Sequence, residues 1–213
     1  FGGQKDLKKK LIRTVGNPRD RFNEDGLRPF RACRFAAKLG FKIEPKTFTA
    51  IKRTLKKAKV VSPERIREEL VKLLGAKKPS VGLELMRRAG LLKIILPELE
   101  RGYHIRQNKF HKYDVFRHNL LSCDAAPSGN TIVRMAALLH DISKPECKRG
   151  PTFYGHEQVG TAVAAKILQR LRFSNNASKK ILNLIRNHMF SYTRDWSDAA
   201  VRRFIRRVGL ENI

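Results

Sequence analysis

The stretch "NEDGLRPFRACRF", residues 23–35, combines two acids with an arginine at every third position. If a helix begins at the first residue of this stretch, Asp25 and Arg28 lie one turn apart on one side of it, and Arg31 continues the row. A carboxylate accepts and a guanidinium donates, so the first pair presents the donors and acceptors needed to meet the edge of a nucleic-acid base. Arg31 and Arg34 suit phosphate oxygens. The alternative interpretation is an intrahelical ion pair beside a solvated basic stripe.

Four histidines and one aspartate occur in order in the segments "FRHNLL", "ALLHDISKP", "YGHEQV" and "RNHMF". They are His118, His140, Asp141, His156 and His188. An adjacent His-Asp pair at the end of an apolar helix, with histidines from flanking helices, can surround a divalent cation. Neutral imidazoles and a carboxylate suit Mn, Fe, Co, Ni or Zn better than calcium. Taken singly, histidines on helices are more often core or capping residues.

The composition indicates a folded protein with a polyanionic partner. The chain has 213 residues, 41% of them hydrophobic, and 46 Lys and Arg against 19 Asp and Glu give a formal net charge of +27. Nucleic acid is the favoured partner because cations that neutralise phosphates release counterions, although a merely solvated basic surface is the alternative. Three cysteines at unpatterned spacing predict a reducing compartment. The lack of a signal peptide and of a long apolar run predicts a cytoplasmic protein without a membrane partner.

Helical periodicity dominates the sequence after residue 20 and predicts an all-α fold. Residues 23–100 form the first predicted helical unit and residues 101–213 the second. Residues 1–22 are predicted to be a short non-helical segment, a strand end followed by the turn "GNPRD". The abrupt start at "FGGQKDL" suggests that the sequence is a fragment of a longer chain.

Start and stop signals delimit the predicted helices. In the first unit, one helix is predicted from a Ser62 cap to Gly75 and the next from a Ser80 cap to Gly90. In the second unit, five segments have helical spacing, and cap-like residues precede three of them: Asp114, Asn130 and Ser197.

The segment 2–45 resembles the connection between catalytic head and helical neck in the class II tRNA nucleotidyltransferases, which are the CCA-adding enzymes and their bacterial poly(A) polymerase relatives. The matching residues are Asp6, Leu7, Ile12, Arg13, Arg21, Phe22, Glu24, Asp25 and Arg28, followed by "RFAAKLGF". "SPERIREELVKLL", "PSVGLELMRRAGLL", "LPEL" and "YDVFRHNL" extend the resemblance through the neck and body. It implies that Asp25 and Arg28 form a protein template selecting ATP or CTP, and that Arg31 and Arg34 contribute to nucleotide binding.

Two departures qualify the resemblance. Pro29 stands where these enzymes usually carry an aliphatic residue, so the helix either kinks there or begins later than the start of the stretch. The family's Gly-Ser stretch with paired aspartates, which binds the Mg²⁺ ions for nucleotidyl transfer, does not occur in this sequence. The sequence therefore predicts that these residues alone do not polymerise.

The histidine series resembles the HD phosphohydrolase superfamily, in which a His, a His-Asp pair and a later His or Asp build a metal site. By that resemblance His118, His140, Asp141 and His156 would be metal ligands. His188 would be a ligand or a phosphate contact, and Asp198 is a weaker candidate for the final carboxylate. In "HDISKP", Ser143 replaces a common glycine and Lys144 could stabilise developing charge.

Three functions are compatible with these features. The first is a tRNA 3′-terminal CCA-adding nucleotidyltransferase lacking its head, with tRNA, ATP and CTP as partners and Mg²⁺ in the head, or a poly(A) polymerase relative. The second is a metal-dependent HD phosphohydrolase acting on nucleotides or RNA ends. The third is a non-catalytic RNA clamp. The sequence does not decide the oligomeric state or which nucleotides are added.

Overall fold

The structure is a computed structural model that describes residues 2–107, 112–150, 152–190, 193 and 195–210. Helices dominate the described residues, as predicted for an all-α chain. The helices of the first half are α1 (Gly3–Lys8), α2 (Pro18–Glu24), α3 (Arg28–Leu39), α4 (Pro45–Arg53), α5 (Leu55–Ala58), α6 (Pro63–Leu74), α7 (Pro79–Ala89), α8 (Leu92–Ile95) and α9 (Pro97–Glu100). Those of the second half are α10 (Val115–Ala125), α11 (Thr131–Leu139), α12 (Lys144–Cys147), α13 (His156–Arg170), α14 (Asn175–Arg186) and α15 (Asp198–Val208).

The N-terminal segment corrects one prediction. Residues 1–22 were expected to be non-helical, but α1 lies here and α2 runs across the expected boundary at residue 22. Asn17 caps α2 by accepting a hydrogen bond from the Arg19 amide, and Pro18 takes the first helical position, where its missing N–H costs nothing. The predicted strand end is present as β1 (Leu11–Ile12), which pairs in parallel with β2 (Lys42–Ile43).

The stretch around residue 25 also differs from the prediction. No helix begins at Asn23, because α2 ends at Glu24 and Asp25 is extended. A turn follows, in which the Arg28 amide donates to the Asp25 carbonyl at 3.1 Å, and α3 begins at Arg28. Pro29 therefore lies in the first turn of α3, which removes the predicted conflict between proline and helix.

Helix α7 begins two residues earlier than predicted. Its first residue is Pro79 and its N-cap is Lys78, so the predicted Ser80 cap is wrong. The Ser80 amide donates instead to Asp124 of α10 at 2.9 Å, which joins α7 to the second half. The predicted stop at Gly90 is confirmed, since this glycine ends the helix at a φ of 83°.

The five helices predicted for residues 101–213 are present, and their three proposed caps are confirmed. Asp114, Asn130 and Ser197 each accept a hydrogen bond from an amide three residues later. One hydrophobic core runs from Phe22 to Ile185 across both predicted units. The core therefore continues across the boundary predicted at residue 100. The division into domains stays a prediction.

Candidate metal centre and candidate base-selecting turn

Helix ends and faces from the second half converge on one buried carboxylate. Asp141 is 2% exposed and follows His140, the C-cap of α11. His118 lies on α10, His156 opens α13, and His188 follows the end of α14. The structure therefore brings together all four predicted ligands, with His188 beside them.

Each oxygen of Asp141 faces a different pair of imidazoles. Asp141 Oδ2 lies 3.4 Å from His118 Nε2 and 3.2 Å from His140 Nε2. Asp141 Oδ1 lies 3.2 Å from His156 Nε2 and 3.6 Å from His188 Nε2. The Nε2 atoms are 3.1 Å apart in the first pair and 3.2 Å apart in the second. Two groups of three ligand atoms, which share the carboxylate, could each hold a metal ion.

Backbone carbonyls orient three of these imidazoles. Each Nδ1 atom lies close to the carbonyl oxygen three residues earlier in the chain. The distances are 2.8 Å for His140, 2.8 Å for His156 and 2.7 Å for His188. Because a carbonyl only accepts, each Nδ1 is the donor in this contact, and Nε2 is the atom that faces Asp141, where it can donate to the carboxylate when protonated or bind a metal ion when it is not. Imidazoles in metal sites are oriented by such bonds, so these donors fit a transition-metal ion.

The charge of Asp141 is stabilised where it is buried. Burial raises the pKa of this carboxyl group, but hydrogen bonds from His140, His156 and His188 outweigh burial and hold the pKa well below its usual range. The carboxylate also forms an ion pair with Lys144, whose Nζ lies 2.7 Å from Oδ2. For His156, burial lowers the pKa, and hydrogen bonds to Asp141 and to the Phe153 carbonyl raise it overall.

The remaining sequence features of this site have distinct positions. Asp198 is exposed in the first turn of α15, and neither ligand group found among the described residues contains it. Ser143 donates its hydroxyl hydrogen to the His156 carbonyl at 2.7 Å, so this replacement of glycine ties the loop after α11 to the start of α13.

The candidate base-selecting turn holds Asp25 and Arg28 through separate partners. Arg65 Nη2 donates to both oxygens of Asp25, at 3.1 and 2.9 Å, and the Leu27 amide donates to one of them at 3.0 Å. Burial raises the Asp25 pKa, but these hydrogen bonds lower it overall. Arg28 Nη1 donates to Glu24 at 2.7 Å and to the Arg21 carbonyl at 2.8 Å. Asp25 and Arg28 therefore do not lie one turn apart on a single helix, as predicted, and the alternative of an intrahelical ion pair between them is also wrong.

The turn still presents part of Arg28 to solvent. The Arg28 side chain is 30% exposed, and that of Asp25 is 24% exposed. Within the part of the chain that the structure describes, Arg28 makes its contacts through Nη1, which leaves the Nε and Nη2 donors available. Glu24 and Arg65 thus orient the two side chains without occupying the Nε and Nη2 donors of Arg28.

Arg31 and Arg34 share the buried carboxylate of Glu69 on α6. Arg34 Nε lies 2.6 Å from Glu69, and its side chain is only 10% exposed. Arg31 Nε is 3.5 Å from the same carboxylate, but 46% of its side chain is exposed. Phosphate binding by either arginine stays a prediction, and the exposure favours Arg31. The sequence alone does not indicate Arg65 or Glu69, since their partners lie 40 and 35 residues away along the chain.

Family models match two regions of the chain. Residues 40–102 match the model described as the probable RNA and SrmB-binding site of polymerase A, and residues 121–210 match the HD domain. The first half of the chain is thus similar to the neck and body of the class II CCA-adding enzymes, and the second half is similar to HD domains.

Curated proteins with similar sequences are named as tRNA nucleotidyltransferases or CCA proteins. The chain is 36% identical over 97% of its length to the A-adding tRNA nucleotidyltransferase of Deinococcus radiodurans. It is 35% identical over 88% of its length to the multifunctional CCA protein of Nitrosococcus oceani, and 31% identical over 97% to the CC-adding enzyme of Thermus thermophilus. The chain spans about half the length of these curated relatives, 50%, 48% and 50% in that order.

Solved structures show the same fold. The Bacillus stearothermophilus CCA-adding enzyme in complex with CTP superimposes with a TM-score of 0.62 at 23% identity, over 98% of this chain and 46% of that one. A tRNA-processing enzyme in its apo form superimposes with a TM-score of 0.57 at 20% identity, over 97% of this chain and 55% of that one. Among the helices of the described residues, none is both long and apolar enough to span a membrane.

Proposed function

We propose that this chain provides base selection and RNA binding in a tRNA nucleotidyltransferase, which transfers C or A residues from CTP or ATP to the 3′ end of tRNA. The observation that supports the proposal is the turn at residues 25–28, where Arg65 holds Asp25 and Glu24 holds Arg28 while both side chains stay partly exposed, in a chain similar to such transferases. The relatives differ in the nucleotide that they add, so similarity does not choose between CC, A and CCA addition.

The side chains have separate roles in this proposal. Arg28 donates to the base of the incoming nucleotide, and Asp25 accepts from it. Glu24 and Arg65 fix the two side chains, and Arg31 contacts the phosphates. The Mg²⁺ ions for transfer lie in a catalytic head. The basic surface of the chain binds the tRNA backbone, and the expected compartment is the cytoplasm, which suits three free cysteines.

A fusion protein tests base selection. It joins this chain to the half of the Deinococcus radiodurans relative that this chain does not match. Arg28→Ala should reduce the ratio of kcat/KM for the preferred over the rejected nucleotide by about 5- to 150-fold, since one lost base contact is worth about 1–3 kcal/mol. The exposed Arg19→Ala is the matched control and should leave the ratio unchanged. An unchanged ratio in Arg28→Ala would refute the template.

We also propose a metal-dependent phosphohydrolase function for the HD domain, which the cluster around Asp141 favours. The histidines and Asp141 would hold a divalent transition-metal ion such as Mn, Ni, Co, Fe or Zn. Such an ion supplies a water of lowered pKa and polarises a phosphoryl oxygen. Lys144 holds the Asp141 carboxylate and adds positive charge beside the phosphate position.

Calorimetric titration with Mn²⁺ and Ni²⁺ tests the metal site. The chain should bind each ion, and Asp141→Asn should weaken binding by more than about 100-fold, because a ligand matters more than the groups that orient it. His104→Asn removes an exposed histidine at a φ of 63° that asparagine tolerates, and it should bind metal normally. Equal affinities for the chain and for Asp141→Asn would exclude this site.

A further inference from the structure

One face of α3 continues from the candidate base-selecting turn and stays open to solvent. The exposed residues of this helix recur at intervals of three or four residues, as expected for a single helical face, and the residues between them are buried. These exposed residues are Arg31, Phe35, Lys38 and Leu39. Arg28, which begins the helix, lies on the same face. The face therefore leads from the turn along the length of α3.

Phe35 lies in the middle of this face, and its ring is supported from behind. The residue is 40% exposed. The guanidinium carbon of Arg34 lies 4.0 Å from the centroid of the ring, so this cation covers one side of it. Arg34 is fixed in turn by the buried carboxylate of Glu69, 2.6 Å from its Nε. The exposed part of the ring thus faces away from Arg34, in an orientation that is preorganised for a contact.

The carboxylate behind Phe35 is surrounded by more positive charge than it neutralises. Three cations approach the single carboxylate of Glu69: Arg31, Arg34 and Lys72. Three positive charges against one negative charge leave an excess of two, and the Lys72 side chain is 53% exposed. An exposed aromatic ring beside excess cations fits a nucleic-acid strand, because the cations attract phosphates and the ring accepts a base.

We propose that Phe35 is the stacking platform for the 3′-terminal base of the RNA strand that receives the new nucleotide. This assignment rests on the transferase function proposed above. Phe35 follows Arg28 by seven residues, which is about 10 Å along the axis of a helix that rises about 1.5 Å per residue. A base whose edge contacts Arg28 therefore does not also stack on Phe35, and the ring is available to a neighbouring nucleotide. Arg34 acts as the positioning residue of the ring.

Stacking suits an RNA end whose identity changes during the reaction. Each transfer leaves a new base at the 3′ terminus, so a site that read this base by hydrogen bonds would reject the product of its own previous step. An aromatic ring stacks with every base and discriminates little between them. Base choice is then confined to the turn at residues 25–28, whereas Phe35 holds the strand whatever its terminal base.

An apolar contact with further protein is the competing explanation for the exposed ring. The chain spans about half the length of the curated relatives it matches, so another segment could cover this face. Apolar packing depends on buried area, whereas stacking requires the aromatic ring. Phe35→Leu keeps an apolar side chain without a ring, and Phe35→Tyr keeps the ring. These two variants therefore separate the explanations.

A double-mutant cycle between the ring and the base measures the contact. Fluorescence anisotropy gives the affinity of the chain for two RNA hairpins that differ only in whether the unpaired 3′-terminal nucleotide carries its base, at raised salt to weaken phosphate contacts. Removing the base should weaken binding to wild type by about 5- to 150-fold, which corresponds to about 1–3 kcal/mol for one stacked base. The same removal should change the affinity of Phe35→Ala by less than about twofold. Equal losses for the two proteins would overturn the proposal.

Three further variants identify the origin of the loss. On removal of the base, Phe35→Tyr should lose affinity as wild type does, and Phe35→Leu should behave as Phe35→Ala. Tyr113→Ala is the matched control, because Tyr113 is 36% exposed and has the guanidinium of Arg117 at 5.2 Å from its ring, but lies outside α3. It should respond as wild type. If Phe35→Leu also responds as wild type, the ring is not the contact and the proposal is overturned.

Transfer by the fusion protein distinguishes the platform from the base-selecting turn. Phe35→Ala should raise KM for the RNA hairpin by a similar factor and leave the ratio of kcat/KM for the two nucleotides unchanged, because Asp25 and Arg28 are intact. An unchanged KM would overturn the platform. If Arg28→Ala leaves base choice unchanged while removal of the terminal base still distinguishes wild type from Phe35→Ala, the template falls and the platform stands. The reverse result overturns the platform alone.

Discussion

The buried carboxylate of Glu69 should be among the most important charged groups for the stability of the first helical unit. Glu69 is 2% exposed and lies 2.6 Å from Arg34, which is 8% exposed. Glu69→Gln keeps the shape of the side chain but leaves the Arg34 charge buried without a counter-charge. Breaking a buried pair in this way costs about 3–5 kcal/mol, a large fraction of the roughly 5–15 kcal/mol that stabilises a typical domain.

Urea unfolding followed by circular dichroism measures this change. The midpoint should fall at an unchanged slope, and the matched variant Glu68→Gln, exposed on the same helix, should stay within about 0.5 kcal/mol of wild type. A loss below about 1 kcal/mol in Glu69→Gln would show that Arg34 is hydrated rather than buried against this carboxylate. In that case the nucleotide-binding role predicted for Arg34 would regain support.

Two further variants test the turn and an ion pair between the halves. Gly26→Ala should lower the free energy of unfolding by about 1–3 kcal/mol and weaken base choice in the fusion protein, because a Cβ there would lie 2.2 Å from the Lys57 carbonyl oxygen. Gly129→Ala, which meets no atom within 4 Å, should be neutral in the same unfolding measurement. Burial raises the pKa of Glu98, but the hydrogen bond from Arg170 outweighs burial and lowers this pKa from its ordinary value of 4.5. The ion pair therefore contributes stability at neutral pH, and this contribution is lost as the pH falls below that value. Glu98→Gln should therefore be less stable than wild type at pH 7, with a difference that narrows in acid; a pH-independent difference would contradict this.

Local signals in the sequence predicted the helices of the second half well. Asp114, Asn130 and Ser197 precede apolar periodic segments, and each caps its helix through a contact within three residues. The same kind of signal was available at Pro29, since proline prefers the first turn of a helix, and it indicates the start of α3 more reliably than the spacing of the arginines.

Contacts between distant segments could not be predicted in this way. Nucleotide binding by Arg34 stays a prediction, but its buried contact with Glu69, 35 residues later, has no signal in the local sequence. The ordered histidines did predict a common site, because each lies at a helix end or face that one fold brings together. The hydrogen bonds that orient their rings follow from the backbone geometry of those helix ends and have no signature in the sequence.

A structure of the fusion protein with ATP or CTP bound tests base selection most directly. We expect the edge of the base to lie about 3 Å from Nε or Nη2 of Arg28 and from the Asp25 carboxylate, with Glu24 and Arg65 still in place. A base bound elsewhere, with Arg28 contacting only Glu24 and the Arg21 carbonyl, would contradict the proposed template.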